Sequence, residues 1–182
     1  MPETTNLASL RFKARLAGGL YLLSIVTGLC GAFAGNAHPL LATAANIAGS
    51  ACYVGVTLLL YELLKPAGKS LSLLAAVLSL TGCALMLVDT LHLATLPFEP
   101  IVFFGPYCLL LAYLILTSGL LPRIVGALLI LTGLGWLTFL YHPLAHIIAR
   151  YVMGLGLLGE GSLTIALLAG AVRENQPVPT GP

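Results

Sequence analysis

Six long apolar blocks follow one another along this chain with only short breaks between them, and that pattern leaves few folds open. A helix needs about 20 apolar residues to cross a hydrocarbon core. The stretches 16–34, 40–64, 70–96, 100–121, 124–141 and 151–172 are long enough, or nearly so. Each is apolar around its whole circumference rather than along one stripe, which suits helices that face lipid and satisfy their own backbone hydrogen bonds. The expected fold is therefore all-α: a polytopic six-transmembrane-helix bundle.

Composition supports the same reading. Only 8% of residues are charged and 59% are hydrophobic, whereas about a quarter of a soluble domain is charged. The blocks take up most of the 182 residues, so the chemistry belongs in or at the bilayer, with membrane lipids as the surrounding partner. A net charge of +2 spread over scattered basic residues gives no nucleic-acid footprint. Cys30, Cys52, Cys83 and Cys108 fall in four different blocks without C-x-x-C spacing and read as small buried hydrophobes.

The breaks are turn chemistry: Gly-Asn-Ala-His-Pro at 35–39, Lys-Pro-Ala-Gly-Lys at 65–69, Pro-Phe-Glu-Pro at 97–100 and Leu-Pro-Arg at 121–123. Loops this short make successive helices antiparallel neighbours. Arg11, Lys13, Arg15, Lys65, Lys69, Arg123 and Arg173 then share one side against Arg150 on the other, and the basic side is expected to be cytoplasmic. This places both termini inside and the chain in the cell (inner) membrane. Residues 1–15 form a basic cytoplasmic segment, 16–172 the transmembrane domain, and 173–182 a polar, proline-rich tail expected to be disordered. Ala32-Phe33-Ala34 has the form of a signal-peptidase site, but the preceding apolar stretch is long for a signal, and a retained first helix is expected.

Small residues recur one turn apart at Gly31 and Gly35, at Ala45 and Gly49, and at Ser162, Ala166 and Gly170. Such ridges let helices approach closely in lipid, within one subunit or across a homodimer.

Against this apolar background, ionisable residues inside the blocks are the main functional signal, because burying them at membrane depth is costly. Asp89 and His92 lie in the third block at i, i+3, which places them on one helical face if the helix continues through them. Glu160 lies deep in the sixth block, where removal from water favours a neutral acid that can donate a proton. Asn46, Tyr107 and Trp136 fall in the same half of their helices, the half away from the basic turns. His142, His146 and Arg150 are spaced i, i+4, i+8, so a helix opening at Pro143 would make them a polar stripe over that half. His-x3-His suits zinc, but no H-E-x-x-H accompanies it, and neither a metal site nor a cofactor is expected.

The run Phe103-Phe104-Gly105-Pro106-Tyr107-Cys108, continuing to Ser118-Gly119-Leu120-Leu121-Pro122-Arg123-Ile124-Val125-Gly126, together with Ala14-Arg15-Leu16-Ala17-Gly18 and Gly159-Glu160, resembles a bacterial integral membrane family, domain of unknown function four-three-eight-six. The resemblance extends over nearly the whole chain, with Ala112 standing where the family usually has glycine. It implies an all-helical membrane protein and matches the last-helix acid to Glu160, without naming a reaction.

Two function classes follow. One is an intramembrane enzyme, a hydrolase, isomerase or proton-initiated cyclase acting on a small lipid-soluble substrate. In it Glu160 is the general acid, Asp89 and His92 serve as base or orient a water, and Tyr107 and Trp136 flank the substrate in a pocket opening to the extracytoplasmic side, with Asn46, His142, His146 and Arg150 as further substrate-binding residues. The other is a non-catalytic membrane protein that binds a small ligand or partner, with a small carrier ranked below it because carriers usually show two clear repeats.

Overall fold

The computed structural model describes residues 3–35 and 37–172, with the side chains of 3–6, His142 and His146 excepted. Asn36 in the first turn, Arg173 and the proline-rich tail lie outside the described residues. The described residues form six α-helices: α1 (Glu3–Ala34), α2 (Pro39–Leu64), α3 (Lys69–Thr90), α4 (Phe104–Ser118), α5 (Arg123–Leu137) and α6 (His142–Leu168). Short 3-10 turns at Pro100–Phe103 and Thr138–Leu140 lead into α4 and out of α5. Six segments are long and apolar enough to cross a membrane, and the chain is a multi-pass helical bundle of the membrane type.

Each helix packs against its neighbour in sequence, and α6 returns to pack on α1, closing the ring. The pairing is antiparallel throughout. Gly31 meets Asn46 and Gly49 meets Thr27 across the α1–α2 seam, while Gly18 meets Leu167 and Leu168 across the α1–α6 seam. At Gly49 a methyl group would come within 2.9 Å of Thr27 Oγ1, so the ridge glycines Gly31 and Gly49 serve close helix contact inside the subunit. Large side chains such as Leu23, Leu58, Val77, Leu131 and Ile165 face outward, as lipid-facing surfaces require.

The turns explain themselves locally. Helix α4 stops at Gly119, whose φ of +64° costs glycine nothing, and its N–H donates to the Ile115 carbonyl at 3.1 Å. Leu120 N–H then donates to Ser118 Oγ at 3.3 Å, and Pro122 launches α5. The Ser-Gly-x-x-Pro-Arg stretch is thus a compact reversal between two helices. At the same end of the bundle Glu62 accepts from Lys65 at 2.9 Å and lies 3.6 Å from Lys13. That hydrogen bond from Lys65 to Glu62 holds its ammonium above the usual lysine range. We call this the basic end, and the end bearing the α1–α2, α3–α4 and α5–α6 connections the far end.

The helix boundaries depart from the sequence expectation at several points, α1 already starting at Glu3 rather than at 16. Helix α6 begins at His142, with Pro143 in its first turn, rather than at 151. Helix α3 stops at Thr90 rather than running to 96, because His92 adopts φ +52° and caps it. His92 N–H donates to the Asp89 carbonyl and Leu93 N–H to that of Val88, each at 3.0 Å, the paired bonds of a Schellman cap. Asp89 and His92 therefore do not share one continuous helical face.

Candidate functional site

All six helices contribute to a cavity of about 170 Å³ in the far half of the bundle. Its wall includes Ser24 and Gly28 from α1, Asn46, Gly49, Ser50 and Tyr53 from α2, Cys83, Met86 and Thr90 from α3, Phe104 from α4, Trp136 from α5 and Glu160 from α6, with Ile101 from the preceding 3-10 turn. Glycine and serine at Gly28 and Ser50 leave room that larger residues would fill. The surface is mostly apolar, with a few polar groups converging on one acid, the usual make-up of a small-molecule site.

Glu160 is partly buried, reached from the cavity, and its carboxyl approaches Trp136 and Tyr21. Trp136 Nε1 is buried with no hydrogen bond of good geometry, so the indole stands beside the acid without being locked to it. The indole is fixed by Gly156, one turn before Glu160: a methyl group there would collide with the six-membered ring. Thr132 Oγ1 donates to the Leu155 carbonyl at 3.0 Å and also packs on Gly159, drawing α5 and α6 together beside the site.

Beneath the acid the polar groups continue inward. Tyr21 and Tyr53 hydroxyls are 3.0 Å apart, and their rings meet edge to face at 5.2 Å. Tyr53 also meets Phe104 edge to face at 5.1 Å, and Phe104 is placed by close packing on Gly82 of α3. One turn further along α2, Thr57 Oγ1 lies 2.6 Å from Ser79 Oγ and donates to the Tyr53 carbonyl at 2.9 Å.

Of the residues expected from sequence, Glu160, Trp136 and Asn46 meet at this cavity. Tyr107 lies below it, packed beside Tyr53 and almost fully buried. Asp89 and His92 are exposed at the end of α3; Thr90 between them lines the cavity and they do not. Arg150 is exposed on α6. His142 and His146 belong to the first turns of α6, and their side chains lie outside the described residues. Among the described residues no group of three or more His, Cys, Asp or Glu side chains is placed to hold a metal ion.

Sequence reasoning missed Tyr21, Tyr53, Ser24 and Ser50. Tyr21 and Tyr53 sit well inside their helices rather than at interfacial depth, and that depth was the available signal.

No family model, curated protein or solved structure matches this chain.

Proposed function

We propose that this membrane protein binds a small lipid-soluble molecule in the six-helix cavity, with Glu160 engaging the polar end of that molecule. The observation that carries the reading is the placement of a partly buried carboxyl, beside the unpartnered indole N–H of Trp136, at a cavity walled mostly by apolar and aromatic groups. An acid at this depth costs several kcal/mol to keep and is a functional candidate on that ground. A cavity of about 150 Å³ holds a molecule the size of benzene, so the buried part of the ligand is a single ring or a short branched chain. Any longer tail extends from the open side. By charge distribution that side faces away from the cytoplasm.

Acid catalysis on the same ligand is the second reading. The Tyr21–Tyr53 hydroxyl pair beside Glu160 favours it, because such a pair can pass a proton to or from the acid. Asp89 and His92 have no part in this version.

The chain contains one tryptophan, so its intrinsic fluorescence reports the site directly. Benzyl alcohol and benzylamine titrated into detergent-solubilised protein should change Trp136 emission saturably, and Glu160→Gln should weaken that response about tenfold or more, the loss of a charge-assisted or strong hydrogen bond. A non-saturating response identical in both proteins contradicts the proposal.

A further inference from the structure

Helices α1 and α6 close the ring, and they part toward the far end. Near the basic end a methyl group on Gly18 would come within 2.9 Å of Leu168, so the two backbones are in close contact there. Two turns back along the same side of α6 lies Gly161, and two turns beyond it Gly154. A methyl group at either would meet nothing within 4 Å among the described residues.

Burial on the two facing sides changes at the same level. On α1, Ala14, Ala17 and Tyr21 are fully buried, whereas Gly28, two turns on from Tyr21 on the same side, is exposed. On α6, Thr164 is 2% exposed, whereas Leu157 and Met153, two and three turns away on the same side, are 48% and 49% exposed. A stripe that simply faced lipid would be exposed along its whole length. Here exposure begins at the level of the ligand cavity, whose wall includes both Gly28 and Glu160, the neighbour of Gly161.

We infer that the far half of the α1–α6 seam is a side entrance from the membrane to this cavity, and that the ligand is a single-chain amphiphile whose hydrocarbon tail lies in the slot. The inference rests on the reading of the Glu160 cavity as a ligand site. Neither α1 from Leu22 to Ala34 nor α6 from Tyr151 to Gly159 carries a charged residue, so a hydrocarbon chain passes between them without stripping water from a charge. The cavity takes only a ring or a short branched chain, and the rest of a longer molecule must leave it. Through the slot a tail stays in apolar surroundings, whereas at the far end it would enter water.

Trp136 emission reads the affinities for benzyl alcohol and 4-octylbenzyl alcohol, which share a polar end and differ in the tail. In Gly161→Leu and, separately, Gly154→Leu, the new side chain stands in the slot, and helix propensity favours leucine over glycine at both positions. Each should weaken the octyl compound about tenfold relative to benzyl alcohol, the effect of overfilling a contact. At Gly19, in the basic half of α1, a methyl group also meets nothing within 4 Å, and Gly19→Leu should keep the parent's ratio. Ratios measured in one detergent cancel the micelle's own uptake of the longer probe. An unchanged ratio in both slot variants, or a parent that binds benzyl alcohol alone, overturns the side entrance and leaves the Glu160 site standing. No saturable response to either probe in the parent overturns both.

Discussion

The hydroxyls of Tyr21 and Tyr53 meet at 3.0 Å across the seam between α1 and α2, directly beside the carboxyl of Glu160. Both rings are buried, Tyr21 fully and Tyr53 at the wall of the cavity. The contact therefore ties the site to the packing of two helices.

Removing either partner should be costly in a way that removing both is not. Tyr21→Phe and Tyr53→Phe are each expected to destabilise by about 0.5–1.5 kcal/mol, with the double variant well short of the sum. Unfolding midpoints of the four proteins in one detergent check this. Full additivity would show that the hydroxyls do not interact.

The end of α3 offers a separate test. At φ +52° a side chain costs about 1–2 kcal/mol relative to glycine. His92→Gly should hold or raise stability and leave Trp136 emission unchanged, while His92→Val should lower stability by about 1–2 kcal/mol. Loss of ligand response in His92→Gly with an intact fold would return His92 to the site.

Gly156 and Gly154 form a matched pair on α6. A methyl group at Gly156 meets the Trp136 ring, whereas one at Gly154 meets nothing within 4 Å. Gly156→Ala should destabilise by about 1–3 kcal/mol and shift the tryptophan emission. Gly154→Ala should be neutral or stabilising by up to about 1 kcal/mol, with the emission unmoved. Equal spectra for the two variants would mean the indole is not seated on Gly156.

The bundle itself was legible because lipid leaves an all-round apolar block few alternatives, and turn residues such as Gly119 and Pro122 mark its reversals. Glu160, Trp136 and Asn46 were legible for the same reason: each is a polar or amphipathic group at depth in an apolar helix. The Asp89 and His92 face was misread because the cap of α3 uses histidine where glycine is usual, so no breaker marks the end of the helix. Tyr21 and Tyr53 were passed over because the meeting of two distant tyrosines depends on the α1–α2 register, which small residues at Gly31 and Gly49 set and which spacing within either helix does not reveal.

The most direct measurement of the central claim is native mass spectrometry of the protein purified from membranes in mild detergent, beside its Glu160→Gln variant. Gln preserves the volume and removes the acid, so the variant should unfold within a few degrees of the parent. The parent should carry a bound small molecule that organic extraction releases, and the variant should lack it. Identical adduct profiles in two folded proteins, or no adduct in either after exposure to total membrane lipid, would contradict a ligand site built on Glu160.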